Sequence, residues 1–289
     1  MALDEGPLVQ SALLRSELVR LRKDRGLTQG RVAENLEWST SKLIRVEGGH
    51  TSITKVDLDA LLGQYGVTSE NQRERLHVLN RAARERGWWE VFRDGGLSET
   101  YLTYVGYEVG ATVIRQFQGS VMPGLLQTAE YAKALTAYAI EAIQVASVVD
   151  LRLRRQEYLA QRSSRPHQHY IIDEAVVRRH IGIQEDPAIM PNQLLYVAER
   201  AEREESLDVR VIPFKVGAHA GLAGPFTLLE FDGGLDDILY LDGGREMIAM
   251  KKSDPEVSEY AESFESLSGD ALSAEDSIAL LRDAAEDLG

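Results

Sequence analysis

Residues 27–49 read LTQGRVAENLEWSTSKLIRVEGG, and this stretch decides how the first part of the chain folds. Thr28 and Ser39 are residue types that cap helix N-termini, and each precedes a short run with apolar residues at helical spacing. Gly48 and Gly49 follow the second run as a helix-stop signal. The stretch therefore predicts two short helices joined by a sharp turn.

The second predicted helix has an apolar face and a polar face. Leu43 and Val46 lie three residues apart on the apolar face. The polar face carries hydrogen-bonding side chains, namely Thr40, Ser41, Lys42 and Arg45. A helix with its back in a core and donors along its front can read base edges in the major groove of DNA. The alternative is an ordinary helical bundle, in which short amphipathic helices and tight turns also occur.

The order of the residues favours the DNA-binding alternative. The start L-T-Q, a small residue within the first helix and the run S-x-S-K-L-I-R-V-E-x-G resemble the Xre/Cro-like helix-turn-helix of phage repressors. The resemblance implies phosphate contacts for Gln29 and Lys42. It implies base contacts for Thr40, Ser41 and Arg45. The complete predicted DNA-binding set is Gln29, Ser39, Thr40, Ser41, Lys42 and Arg45.

The resemblance also raises expectations for neighbouring positions. Glu47 matches a structural position that commonly pairs with an arginine of the preceding helices. Ile44 stands where a polar residue is expected, so it either packs against a neighbour or touches a thymine methyl group. The basic residues in and after the preceding helix either form a solvated face or contact phosphate; they are Arg15, Arg20, Arg22, Lys23 and Arg25.

Charge is unevenly distributed along the chain, whose net charge is −14. Residues 1–87 carry 14 Lys and Arg against 12 Asp and Glu, whereas residues 88–289 carry 18 against 34. This asymmetry is typical of a DNA-binding region attached to an acidic region. We expect the acidic region to repel DNA and weaken non-specific binding.

Composition excludes several classes of protein. The chain has no cysteine, which excludes disulfides, thiolate metal sites and cysteine nucleophiles and fits a reducing cytoplasm. It has no run of 18 apolar residues, and its first ten residues, MALDEGPLVQ, do not form a secretory signal. We therefore expect a cytoplasmic protein that does not associate with membranes.

The pattern of the 289 residues predicts a mostly α protein with two domains. Residues 1–87 are predicted to form a five-helix, repressor-like DNA-binding head, and residues 88–97 a linker in which Trp88 and Trp89 form either a hinge cluster or plain core. Residues 98–289 are predicted to form an α+β domain with a small antiparallel sheet. The predicted helices there are 98–118, 127–140, 142–161, 191–203, 255–268 and 273–287. The predicted strands are 169–173, 207–214, 225–231, 237–241 and 246–250.

The α+β domain carries no motif of a known catalytic site. The patterns H-E-x-x-H, G-x-S-x-G, G-x-G-x-x-G and the P-loop are all missing from the sequence. His167 and His169 could present two imidazoles on one side of a strand, but no metal-ligand spacing accompanies them. We expect no enzyme activity, no cofactor and no metal.

Three segments of this domain have alternative interpretations. The basic run 152–155 forms a solvated face, binds an anion or pairs within the molecule. The glycines of 217–224 form a tight β-connection, which we favour, or let the backbone approach a ligand. A small-molecule pocket is hypothesised from apolar, aromatic and a few polar side chains, each with ordinary core or surface as its alternative. The candidate lining residues are Arg115, Met122, Leu125, Tyr131, Arg155, His219 and Phe226.

Segments from about residue 11 to 285 resemble actinobacterial regulators of the WhiJ type. The matching stretches are GWWEVF, IRQFQ, VMPGLLQTAEYAKAL, LRLRRQEYL, IIDEA and VIPFKVGAHAGLAGPFTLLEF. The resemblance implies a transcriptional regulator, a repressor, often encoded beside a small acidic partner protein. It implies no catalytic residue.

Two functions are compatible with these features. In the first, a homodimer binds an inverted-repeat operator in double-stranded DNA, and the second domain senses a small-molecule effector or a partner protein. In the second, an antitoxin-like protein mainly binds a small partner protein, and DNA binding serves autoregulation. A two-fold dimer would hold its recognition helices about 34 Å apart, one turn of DNA.

Overall fold

The computed structural model describes residues 5–139, 142–242, 247–249 and 255–289. The chain forms two compact units. The first, here called the head, comprises Met1–Glu90 with Asp232–Leu235, and the second, the body, comprises Val91–Phe231 with Asp236–Gly289. The predicted architecture, a helical head followed by an α+β region in a mostly helical chain, is confirmed.

The head contains the five predicted helices. They are α1 (Gly6–Asp24), α2 (Gln29–Asn35), α3 (Thr40–Glu47), α4 (Lys55–Gln64) and α5 (Glu70–Ala82). Helix α1 packs against α5 and α3, and α2 packs against α3 and α4. The predicted helix-turn-helix is therefore α2, a turn and α3.

Local capping explains where α2 and α3 begin and end. Thr28 Oγ1 accepts a hydrogen bond from Arg31 N, and Ser39 Oγ accepts one from Lys42 N, both at 3.2 Å. Each cap satisfies an N–H group that the helix itself leaves without a partner. Gly49, with φ +77°, provides the left-handed turn after α3. Both predicted N-caps are confirmed.

The body consists of seven helices and six strands within the described residues. The helices are α6 (Glu99–Glu108), α7 (Ala129–Ala139), α8 (Ala142–Gln161), α9 (Glu174–Arg178), α10 (Ile189–Arg203), α11 (Pro255–Asp270) and α12 (Ala274–Leu288). The strands are β1 (Val113–Gln118), β2 (His167–Asp173), β3 (Leu207–Ile212), β4 (Phe226–Glu230), β5 (Ile238–Leu241) and β6 (Met247–Ala249). Residue 140 is the last of the predicted helix 127–140, and residues 246 and 250 are the first and last of the predicted strand 246–250. All three lie outside the described residues.

The strands form one mixed sheet in the order β3-β2-β1-β4-β5-β6. The β1–β2 and β2–β3 pairs are parallel, and the β1–β4, β4–β5 and β5–β6 pairs are antiparallel. The predicted small antiparallel sheet is mixed in the structure, because the predicted helix 98–118 concealed β1, which pairs in parallel with β2. Helix α6 ends at Glu108, and Gly110 and the β-branched Thr112, Val113 and Ile114 then favour a strand.

The two faces of the sheet have different surroundings. On one face, Phe117 of β1, Ile171 of β2 and Phe226 of β4 form a core with Phe264 and Leu267 of α11. Side chains alternate along a strand, so the residues of β1 on either side of Phe117 point to the opposite face. That opposite face contains the cleft described below.

Candidate nucleic-acid interface and a cleft in the body

The outer face of α3 is the surface for which the sequence predicts base contacts. Its exposed side chains are Thr40, Ser41, Ile44 and Arg45. Leu43 (0% exposed) and Val46 (4%) anchor the opposite face in the head core. Ile44 is 47% exposed, so it does not pack into that core. The thymine-methyl alternative for Ile44 stays a prediction.

Arg45 is the exposed cation of α3. Within the residues that the structure describes, its guanidinium has no hydrogen bond and no ion pair. An arginine in this situation can form bidentate hydrogen bonds to guanine or contact a phosphate without first breaking an internal contact.

Lys42 is held by two neighbours. Its Nζ lies 2.9 Å from Asp57 Oδ1 and 3.7 Å from the centroid of the Trp38 ring. The side chain is 37% exposed. Because the ammonium has three N–H donors, it can still reach a phosphate, but Asp57 already compensates part of its charge. The structure therefore gives Lys42 a structural contact that the sequence did not predict.

Glu47 lies at the centre of a buried polar cluster at the end of α3, here called the head clamp. Arg22 of α1 donates from Nε to Glu47 Oε1 (2.7 Å) and from Nη2 to Oε2 (2.9 Å). Gln29 Nε2 donates to the same Oε2 at 2.8 Å. The expected pairing of Glu47 with an arginine is confirmed. An amide carries two N–H donors, so Gln29 keeps one for the predicted phosphate contact.

The head clamp also reaches the remaining neighbours of α3. Arg22 Nη1 donates to the carbonyl oxygen of Leu27 (2.9 Å), and Tyr65, which follows α4, donates weakly to Glu47 Oε1 (3.5 Å). Burial and the charge of Glu47 raise the pKa of the Tyr65 hydroxyl, so that it stays a donor. The expectation of a solvated or phosphate-binding Arg22 was wrong, because this residue is only 9% exposed.

Two other basic residues near α1 have partners within the head. Arg20 pairs with Glu17 (2.6 Å) and Asp24 (2.9 Å), and all three are at the surface or partly exposed. Arg25 Nη2 donates to the Gly66 carbonyl oxygen at 3.0 Å. The two carboxylates compensate the charge of Arg20, whereas the carbonyl oxygen occupies one donor of Arg25 and leaves its charge in place.

The turn between α2 and α3 contains a backbone conformation that sequence reasoning missed. Glu37 has φ +54°, in the left-handed region that residues other than Gly seldom adopt. Glu37 lies in the turn between Leu36, which follows α2, and Ser39, the N-cap of α3. The sequence pattern offered no signal for it, since glutamate is not a turn-forming residue.

The body contains a cleft of about 690 Å³ at the carboxyl end of β1. Its lining comes from α6, β1, the segment after β1, α7, α8 and β5. The polar and aromatic lining residues are Ser98, Tyr101, Tyr104, Gln116, Gln118, Gln127, Thr136, Arg152, Arg155, Tyr240 and Asp242. The apolar ones include Leu97, Val121, Met122, Leu135 and Val148.

A buried ion pair supports one wall of this cleft, which Arg155 lines and its partner Glu108 does not. Arg155 donates from Nε to Glu108 Oε2 (2.7 Å) and from Nη2 to Oε1 (2.6 Å). The side chains of Arg155 and Glu108 are 5% and 0% exposed. Arg155 Nη1 donates to Tyr101 Oη (2.6 Å), and Tyr104 Oη donates to Glu108. Burial, with the charge of Glu108, raises the pKa of Tyr104 well above its usual value.

The basic run 152–155 therefore has three different environments. Arg155 pairs within the molecule, Arg154 pairs with Asp150 at the surface (3.1 Å), and Arg152 Nη1 donates to Thr136 Oγ1 (2.7 Å) beside the cleft. Sequence periodicity contained a signal for Arg155. It lies four residues after Leu151 and four before Leu159, on a stripe of α8 that is otherwise apolar and buried.

The hypothesised pocket residues do not form one site. Met122 and Arg155 line the cleft, and Tyr131 Oη accepts a hydrogen bond from Met122 N at 3.0 Å. Leu125 lines a separate cleft of about 400 Å³ with Tyr196 and Arg200.

The other three hypothesised residues lie away from the cleft. Arg115 pairs with Glu230 and Glu265 on the α11 side, and Phe226 belongs to the α11 core. His219 contacts the ring of Phe117, which also faces α11. The single-pocket hypothesis was wrong because the side chains of a strand alternate between its two faces.

His219 has a structural environment. Its Nε2 lies 3.1 Å from Asp173 Oδ2, and its Nδ1 accepts a hydrogen bond from Gly221 N. Asp173 in turn caps α9 by accepting from Ala175 N at 2.7 Å. The glycines of 217–224 belong to two short 3-10 turns that connect β3 to β4.

Two properties of the described residues bear on broad classes of function. No cluster of three or more histidine or acidic side chains there has a geometry that could hold a metal ion. None of the helices there combines the length and the apolar character needed to cross a membrane.

Comparison with known proteins assigns both parts of the chain. A family model described as a helix-turn-helix domain matches residues 13–76, which include α2 and α3. A second model, described as a domain of unknown function (DUF5753), matches residues 101–283, more than half of the chain. No curated protein and no solved structure matches. The chain therefore has the helix-turn-helix domain of a DNA-binding regulator and belongs to the DUF5753 family.

Proposed function

We propose that this protein is a sequence-specific transcriptional regulator that reads double-stranded DNA with the outer face of α3. The observation that carries the proposal is the contrast between the two faces of α3. Leu43 and Val46 are buried, whereas Thr40, Ser41 and Arg45 are exposed, and Arg45 has no partner within the described residues. Such a helix holds the hydrogen-bonding side chains of its exposed face in fixed positions, where they can reach base edges.

The head clamp supports this function by fixing α3. Glu47, near the C-terminal end of α3, contacts α1, the start of α2 and the residue after α4 at one carboxylate. Base readout needs hydrogen-bond donors held within a few tenths of an ångström, because bidentate contacts to a base tolerate little displacement. A recognition helix with its end anchored in this way is preorganised for such contacts.

The finer features of the proposal come from the resemblance to Xre/Cro-like and WhiJ-type regulators. The protein would bind an inverted repeat as a homodimer, with recognition helices about 34 Å apart. It would act as a repressor without enzyme activity, and the body would control it through a small molecule or a partner protein. The acidic charge of residues 88–289 would favour release from non-specific DNA.

The test is the affinity of Arg45→Ala for selected DNA and for unrelated DNA. If Arg45 reads a base, the substitution lowers specific binding by about 1–3 kcal/mol and leaves non-specific binding nearly unchanged. Arg81→Ala is the matched control, because Arg81 is an exposed arginine of α5 that pairs with Glu74. Equal losses on both DNAs would assign Arg45 to phosphate, and no loss on either would remove α3 from the interface.

A further inference from the structure

We propose that the cleft between α6, α8 and β1 binds a small organic anion with a planar aromatic body. The proposal deepens the effector control proposed above and depends on it for its regulatory meaning. Binding itself is a property of the body and can be tested without DNA. Four features of the cleft indicate this ligand class: its size and position, its aromatic wall, its amides with unused hydrogen-bonding capacity, and its cation.

The size and position of the cleft suit a small ligand. Its volume, about 690 Å³, lies within the range of about 300–1,000 Å³ typical of small-molecule sites. It lies at the carboxyl end of β1, the strand at which the sheet changes from parallel to antiparallel pairing. Open sheets commonly hold their ligands beyond the carboxyl ends of strands where the topology changes direction.

The aromatic wall consists of three tyrosines whose positions are already fixed. Tyr104 and Tyr240 stack with ring centroids 4.3 Å apart and an interplanar angle of 15°. Tyr101 lies beside them, 5.9 Å from Tyr104 and 6.4 Å from Tyr240, and it is partly exposed. The Glu108–Arg155 pair holds the Tyr101 and Tyr104 hydroxyls. A flat ring can therefore pack on this wall without first ordering it.

Three glutamine side chains line the cleft with unused hydrogen-bonding capacity. Gln116 and Gln118 are 8% and 5% exposed, and no hydrogen bond joins either amide to another described residue. Gln127, 2% exposed, donates from Nε2 to the Met122 carbonyl oxygen, but its Oε1 has no partner. Buried polar atoms rarely lack a partner, and Gln127 Oε1 is such an atom, whereas the amides of Gln116 and Gln118 lack a partner among the described residues but are not fully enclosed. The three amides at one cleft indicate a place for a polar ligand.

The charges of the cleft favour an anionic group. Glu108 compensates Arg155, whereas Arg152 has only the neutral Thr136 hydroxyl as a partner within the described residues. Asp242 also lines the cleft, but it is exposed, where water screens its charge. Arg152 is partly buried, so its attraction for a carboxylate, sulfonate or phosphate inside the cleft is screened less.

The test compares two fluorescent probes that share their rings and differ in charge. The first, 8-anilinonaphthalene-1-sulfonate, is an aromatic anion, and N-phenyl-1-naphthylamine is its uncharged analogue. The full-length protein is expected to bind one sulfonate probe per chain, about tenfold more tightly than the neutral one. Arg152→Gln is expected to remove this preference with little effect on the neutral probe, and Arg152→Lys to retain part of it.

The matched control is Arg154→Gln, because Arg154 is the exposed arginine of the same helix and does not line the cleft. This variant is expected to keep the wild-type ratio of the two dissociation constants. Gln118→Leu provides a second test that is independent of Arg152 and is expected to lower the same ratio. Unfolding curves show whether each variant is folded.

Three results would overturn the proposal. In the first, the ratio of the two dissociation constants is unchanged in Arg152→Gln or in a folded Gln118→Leu variant. In the second, Arg154→Gln lowers the preference for the anion as much as Arg152→Gln does. In the third, the wild type shows no preference for the anion. None of these results concerns α3. Failure of the anion site and failure of DNA recognition are therefore separable, since the latter is read from Arg45→Ala on DNA.

Discussion

The head and the body each contain a buried arginine–glutamate pair, and the two pairs have closely similar chemistry. Arg22–Glu47 and Arg155–Glu108 are both bidentate, with N–O distances of 2.6–2.9 Å. In each, a buried tyrosine donates to the carboxylate, Tyr65 in the head and Tyr104 in the body.

The surroundings of the two pairs differ. The remaining contacts of the head pair go to a backbone carbonyl and to Gln29, so it connects helices to one another. The remaining contacts of the body pair go to tyrosines that line a cleft. The same kind of ion pair therefore holds the predicted recognition helix in one unit and supports the tyrosine wall of a cleft in the other. A buried arginine is informative about function only together with what its remaining donors touch.

The largest expected effect on stability comes from breaking the Arg155–Glu108 pair of the body. Arg155→Met leaves Glu108 buried without its partner, which should lower the free energy of unfolding of the body by about 3–5 kcal/mol. The double variant Arg155→Met, Glu108→Leu should recover much of this loss, because no unpaired charge remains. Urea unfolding of both variants measures the difference. Arg154→Met is the exposed control, and a similar loss there would contradict a special role for the buried pair.

A smaller effect on stability is expected from breaking the Arg22–Glu47 pair of the head clamp. Glu47→Gln removes the charge opposite Arg22, which should destabilise the head by about 2–3 kcal/mol. It should also weaken DNA binding, although Glu47 lies behind the exposed face of α3. Unfolding and operator affinity are measured on the same preparations. Glu34→Gln, at an exposed pair with Arg31, is the control; if it weakened DNA binding as much, the head clamp would have no special part.

The N-cap of α3 allows local anchoring of this helix by Ser39 to be compared with long-range anchoring by the head clamp. Ser39→Ala removes the hydrogen bond to Lys42 N and should cost about 1 kcal/mol of stability. Ser39→Asp keeps an acceptor and should retain most of it. Thermal unfolding of the head measures both. A loss for Ser39→Ala larger than that for Glu47→Gln would show that the cap, rather than the clamp, mainly fixes α3.

The smallest expected effect is a gain in stability at the turn. Glu37→Gly relieves a left-handed backbone conformation, while the freer unfolded chain offsets part of the benefit, so the net gain should be at most about 1 kcal/mol. Glu37→Ala keeps the Cβ atom, and with it the cost of the left-handed backbone, and is the control. If unfolding curves show that glycine destabilises the head, the Glu37 side chain contributes more than its backbone costs.

Local signals explain why the head was predictable from sequence. Helix starts and stops depend on residues within one turn of the helix end. The N-caps Thr28 and Ser39 and the left-handed Gly49 could therefore be predicted from the residues next to them. Glu37 was not readable, because its conformation is imposed by the two helices that it joins. Arg22 was also missed, although it lies four residues after the buried Leu18 on an apolar stripe.

Long-range pairing explains why part of the body was not predictable. Strand β1 has its neighbours in β2 and β4, which are far along the chain. The helical spacing of Leu102, Val105 and Val109 also continues into β1 at Val113 and Phe117. Once β1 was missed, the two faces of the sheet could not be separated. That is why Arg115 and Phe226 were grouped with Met122 and Arg155, which lie on the other side.

The most direct test of DNA recognition by α3 is footprinting of the purified protein on genomic DNA at two salt concentrations, beside Arg45→Ala. If α3 reads base edges, the wild type protects a discrete inverted repeat with half-sites about 34 Å apart, and this protection falls steeply with salt. Arg45→Ala then needs a higher protein concentration for the same protection and loses sequence preference at one base position of each half-site. A discrete footprint that is identical for wild type and Arg45→Ala, or protection without any discrete site, would contradict it.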